Sequence, residues 1–181
     1  MIFLRPDIFV LITTVIILTA LILFEKKHWL PHFGIAMETS TVWNLISASQ
    51  YGYNQEFFSI GSVSIFPLFA WTIGLFLIYL IYNALYKRGI SSRFSFKGFP
   101  QQFLLYIALY WPILLAAETI GYHAFNIKNG AAAQYPGLPF CNCLHAPLWM
   151  QIAYLALGPI YFLLIHFTLD RTFEPAKTHG R

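Results

Sequence analysis

Cys141-Asn142-Cys143-Leu144-His145 carries more chemistry per residue than any other stretch of this chain. In an extended strand alternate side chains point the same way, so both sulfurs and the imidazole would face one point. Two thiolates and an imidazole suit zinc or cuprous copper. Cys141, Cys143 and His145 are therefore candidate metal ligands, with copper or zinc as the candidate ions. A disulfide is the competing outcome for cysteines on an exported face. A bridge across one intervening residue needs a turn that brings the Cα atoms within about 4.4–6.8 Å. Free or redox-active thiols are the third outcome. A relay between disulfides is disfavoured, because the chain has two cysteines and no Cys-x-x-Cys.

Glu118 is the second feature. An ionisable group within a membrane span costs about 2.5–3.5 kcal/mol on insertion scales, so it normally faces the bundle interior and serves a purpose. It is a candidate proton carrier, cation site or further metal ligand. The plainer alternative is a neutral carboxyl hydrogen-bonded to Tyr122 or to a neighbouring helix. His123, His28, His32 or Glu118 could supply a fourth ligand beside the cysteine segment. Five residues separate His123 from Glu118, about 140° around an ideal helix, so the two share a ligand only if the helix frays after Gly121. His28 and His32 have i,i+4 spacing, but Pro31 pushes the residue before it out of helical geometry. His166 falls near the opposite end of the last span from His123, too far for a shared haem.

Other chemistries have no residues to support them. There is no Gly-x-Ser-x-Gly, no phosphate-binding glycine loop and no His-Glu-x-x-His.

Four apolar runs must position these groups: about Ile8 to Phe24, Val63 to Tyr86, Phe103 to Phe125 and Pro147 to Leu169. Each is near or beyond the ~17–25 residues that cross a bilayer as a helix. The chain is 58% hydrophobic and 10% charged, far from the composition of soluble domains. The expected fold is all-α: a single polytopic membrane domain over residues 1–181, a bundle of four transmembrane helices. Thr39 to Gln50, between the first two runs, reads as a short interfacial helix anchored by Trp43. Trp111-Pro112 and Gly158-Pro159 should kink the third and fourth spans. The loop from Asn126 to Ala146, with Gly130, Pro136-Gly137 and Pro139, should be irregular.

Four spans place both termini on one side. Arg5, Lys87, Arg88, Arg93, Lys97, Arg171, Lys177 and Arg181 then share that side, against Lys26, Lys27 and Lys128 on the other. This bias predicts cytoplasmic termini in a bacterial inner membrane. Lys26-Lys27 is the discordant element. The arrangement gathers His28, His32, His123, His145 and both cysteines at the outer face. The first run, ending in Glu25-Lys26-Lys27 without a small-residue cleavage site, reads as an uncleaved anchor, and lipidation motifs are absent. A net charge of +4 without a concentrated basic face excludes nucleic acid.

Three function classes remain. The first is an outer-face metal or redox site built from Cys141, Cys143, His145, His123 and Glu118. The second is a non-enzymatic accessory subunit, or immunity-type partner, of a membrane complex. The third is a small proton-coupled carrier using Glu118, completed by a homodimer.

Overall fold

The computed structural model describes residues 5–50, 52–61, 63–86, 98–130 and 134–170. The basic connector from Lys87 to Lys97, the terminal Arg171, Lys177 and Arg181, and Tyr51 and Ser62 lie outside them. Four helices are long and apolar enough to cross a membrane: Pro6–Leu23, Ile65–Leu85, Phe99–His123, and Leu148–Leu169. They cover the four apolar runs. We label them α1, α3, α4 and α5.

The helix between α1 and α3 departs from expectation. Instead of a short segment starting at Thr39, α2 (Leu30–Ser47) has 18 residues, as many as α1. It starts earlier because Pro31 falls in its first turn, where a missing N–H breaks no helical bond. It then runs the length of the bundle. At one end Trp29 and His32 pack on Tyr79, with ring centroids 6.3 and 5.4 Å apart. There the Tyr161 hydroxyl also donates to the His32 carbonyl at 3.0 Å. At the other end Trp43 packs on Trp149 and Tyr154, at 6.2 and 5.4 Å. Tyr79 lies in the last third of α3, and Trp149 opens α5. So α2 runs antiparallel to both.

Five helices therefore alternate in direction among the described residues. The N-terminal end of α1 joins the segment leading into α3: the Asp7 carboxylate accepts the Phe58 N–H at 2.9 Å, and Arg5 donates to the Glu56 carbonyl at 2.8 Å. Asp7 is 2% exposed and also takes Arg5 as a salt-bridge partner at 2.8 Å. Hydrogen bonding to Asp7 holds the Arg5 guanidinium above its ordinary value. The last turn of α5 lies at the far end, where His166 packs on Phe99 at 4.5 Å. The described start of α1 and the last described turn of α5 therefore lie at opposite ends of the bundle.

Three hydroxyls inside α2 are satisfied locally. Thr39, Thr41 and Ser47 donate back to the carbonyls of Ile35, Met37 and Trp43 at 2.7, 2.8 and 2.6 Å. Such bonds let hydroxyls sit in an apolar bundle without a cross-helix partner.

The two proline sites pack on one another. Pro159 removes the N–H that would bond the Leu155 carbonyl. The Trp111 indole fills that place at 3.0 Å, while the Tyr110 hydroxyl donates to the Tyr154 carbonyl at 2.6 Å. A Cβ on Gly158 would come within 2.4 Å of the Tyr110 ring, so glycine lets the aromatic ring reach the α5 backbone. At the far end Tyr82, Tyr106 and Phe162 close the core, Tyr106–Phe162 at 4.8 Å and Tyr82–Tyr106 at 5.7 Å.

Candidate functional site

The loops that start α1, α3 and α5 gather at one end, which we call the cap. The Asn54 side chain accepts the Lys128 N–H at 2.8 Å, and Asn54 N–H donates to the Lys128 carbonyl at 2.9 Å. Asn129 accepts from the Gly52 N–H at 3.0 Å and donates to the Gln50 carbonyl at 2.6 Å. These bonds lock the α2–α3 connection to the α4–α5 connection.

Within the cap, Cys141 and Cys143 form a disulfide with Cα atoms 5.1 Å apart. The segment is a turn, not the extended strand that would have aligned the sulfurs with His145. Asn142 and Leu144 have φ of 45° and 58°, left-handed values that fold the chain back. The Asn142 N–H donates to the Leu138 carbonyl at 2.8 Å, and the Leu138 N–H to the Cys143 carbonyl at 2.9 Å. Gly137 allows this, because a Cβ there would come within 2.9 Å of the Cys143 carbonyl. Gln151, in the first turn of α5, donates to the Pro136 carbonyl at 2.9 Å and reaches those of Ala146 and Leu144 at 3.1 and 3.2 Å.

The imidazoles are engaged elsewhere. His145 Nδ1 donates to the Tyr135 carbonyl at 2.9 Å, and its ring stacks on Tyr122 at 4.9 Å. His123 Nε2 donates to the Cys141 carbonyl at 3.1 Å. His28 and His32 lie at the far end beside Trp29, because α2 carries them away from the cap. The expected gathering of four histidines therefore reduces to two. Among the described residues no three His, Cys, Asp or Glu side chains lie together as ion ligands. Joined sulfurs also offer a metal no thiolate.

Glu118 sits apart from this turn. It is half-buried in a groove of about 400 Å³ between α3 and α4, where the two helices splay toward the cap. Ala70, Gly74 and Ile78 form one wall, and Leu114, Ala117 and Gly121 the other. Trp71 and Tyr154, with tilted rings 4.9 Å apart, back it. Tyr53, Asn129 and His145 roof it. Leu77 and Ile81, at its outer lip, are exposed. Glu118 makes no hydrogen bond or ion pair among the described residues, so the plainer alternative of a bond to Tyr122 or to a neighbouring helix is not formed among them. The groove is otherwise lined chiefly by apolar groups.

Known proteins offer no precedent. No family model, curated protein or solved structure matches the chain.

Sequence reasoning found Glu118 and the two cysteines but missed the walls that make Glu118 accessible. Gly74 and Gly121 were the available signal. No atom lies within 4 Å of a Cβ built on either, so both leave space where a side chain would fill it.

Proposed function

We propose that this membrane protein binds a small amphiphile in the groove between α3 and α4, its apolar part along Gly74 and Ile78 and a cationic or hydroxyl head at Glu118. The observation that carries this reading is a half-buried carboxyl with no partner among the described residues, lining an apolar groove of about 400 Å³. That volume falls within the ~300–1,000 Å³ of small-molecule sites. A carboxyl within a span is costly without a partner, and a ligand head would supply one. Exposed Leu77 and Ile81 at the lip favour access from the lipid. The packed layer of Tyr82, Tyr106 and Phe162 beyond the groove favours binding over passage. The cap is then the roof of the groove, with the disulfide setting its shape.

Two observations support an orientation. With α2 crossing, Lys26 and Lys27 join the far end, to which Lys87, Arg88, Arg93, Lys97, Arg171, Lys177 and Arg181 attach by connectivity. Arg5 and Lys128 alone remain at the cap. Nine against two is a stronger positive-inside bias than four spans allow, and the discordant pair disappears. The oxidised cysteines independently favour a cap facing the exported side. The C-terminus is then cytoplasmic and the N-terminus outside, across a plasma membrane.

Decylamine and decanol test the binding site, with protein in lipid nanodiscs and thermal unfolding as the readout. The amine should raise the wild-type midpoint more than the alcohol does. That difference should vanish in Glu118→Gln. Gly74→Phe, whose Cβ meets no atom within 4 Å and whose ring occupies the groove, should respond to neither. Equal responses from all three proteins would sink the proposal.

A further inference from the structure

A second carboxylate, Glu38, lies in the membrane-depth region where the sequence showed none. It is the ninth of the 18 residues of α2. Its neighbour Met37 meets Thr72, the eighth of the 21 residues of α3, with the Thr72 hydroxyl 3.5 Å from the Met37 sulfur. Both helices place it near mid-depth. Its side chain is exposed, and it makes no hydrogen bond or ion pair among the described residues.

The surface around it is a groove of about 560 Å³ between α2 and α5. Val42 and Ile46 continue one wall toward the cap, and Trp149, Ile160 and Leu164 form the other; all five are exposed. The opposite face of α2, with Phe33, Ala36, Thr39, Ser40, Trp43, Asn44 and Ser47, is buried against the bundle. So α2 presents one long apolar stripe outward, with a single acid at its middle.

Lipid tails would tolerate the stripe but not the acid. Intramembrane ionisable groups pair with one another or with polar partners, and an unpartnered carboxylate facing hydrocarbon is costly. Aminolipid headgroups sit at the bilayer surface, about 15 Å from the midplane, out of reach. A second copy of this chain offers no cation at that depth. Among the described residues His28, His32 and His166 lie at the far end and Arg5 and Lys128 at the cap, so a two-fold pair would oppose Glu38 to Glu38. What complements an acid in an apolar groove is a helix of another protein with one base at its centre.

We propose that the α2–α5 groove docks a transmembrane helix of a partner protein that carries a single lysine or arginine near mid-bilayer, paired with Glu38. The proposal depends on α2 crossing the bilayer and is independent of the site at Glu118. It makes the chain a subunit of a membrane complex, selected by charge within the hydrocarbon.

The test uses the full chain in vesicles, labelled with a donor fluorophore, and acceptor-labelled 22-residue leucine–alanine helices. One peptide has lysine at its centre and the other leucine. The lysine peptide should associate at least ten-fold more tightly. Glu38→Gln should abolish that preference, and Glu118→Gln should retain it, which separates this site from the amphiphile groove. Ile46→Trp, which narrows the groove but leaves the acid, should weaken the lysine peptide's binding. Equal association of both peptides, no association of either, or a lysine preference that survives Glu38→Gln would overturn the proposal. Self-association of the donor-labelled chain that Glu38→Gln disrupts would overturn it in favour of a second copy.

Discussion

Asp7 closes the bundle at the cap from a position that looks unremarkable in the sequence. One buried carboxylate takes the Phe58 N–H, the Ile8 N–H at 3.0 Å and the Arg5 guanidinium. Asp7→Ala leaves the Phe58 donor without its partner and should cost about 1–3 kcal/mol, read as a lower thermal midpoint in detergent. Tyr106 is the opposite case. Its hydroxyl is fully buried and has no hydrogen-bond partner among the described residues. Removing an unsatisfied group relieves a cost, so Tyr106→Phe should leave the midpoint unchanged or raise it. A clear drop would show that the hydroxyl has a partner. Glu118 and the cysteines were legible because their types are rare in apolar surroundings. Asp7 was not, because its main partner is a backbone donor 51 residues away, and backbone donors leave no trace in side-chain identity.

The four apolar helices were legible for the same reason that α2 was not. Hydropathy averages over a helix, while the bundle solvates each face separately. α2 carries His32, Glu38, Thr39, Ser40, Thr41, Asn44 and Ser47, which erase an apolar average. Back-bonded hydroxyls and contact with α3 and α5 let most of these polar groups sit within the bundle. Lys26-Lys27, out of place in a four-span reading, fits the proposal that α2 crosses. The turn at Cys141 escaped for a different reason: left-handed φ at Asn142 and Leu144 depends on contacts with Gly137 and Leu138, which spacing alone does not encode. Topology offers a decisive check. Reporters fused to the N-terminus and to the C-terminus should respond from opposite sides of the membrane. Responses from one side would restore four spans and leave α2 at the surface.

The cap and the bundle should respond separately to reduction. The Cys141–Cys143 bridge closes a very short loop, and short loops remove little chain entropy from the unfolded state. Reducing it, or replacing both cysteines with serine, should leave helical circular dichroism unchanged. Limited proteolysis should then open between residues 130 and 147, where His123 and Gln151 hold the turn. Elemental analysis of the oxidised protein should find no stoichiometric zinc or copper. Metal at one equivalent, lost with the cysteines, would return the turn to the role of a metal site.

The polarity of α2 also bears on the order in which the chain is built into a membrane. Synthesis presents α1 first, apolar enough to insert alone, and then a segment whose polar residues argue against unaided insertion. On the proposal that α2 crosses, it should wait at the surface beside Lys26 and Lys27 until α3 emerges and offers it a protein face. The two should then enter as a pair, and the passage of residues 52–61 should bring Phe58 to Asp7. Chains truncated before Ile65 should therefore leave Ser49 on the same side as Lys27, and chains extended through Leu85 should move it across. The α1–α3 connection would be the last part of that half to reach its place, and Asp7 the latch that keeps it there.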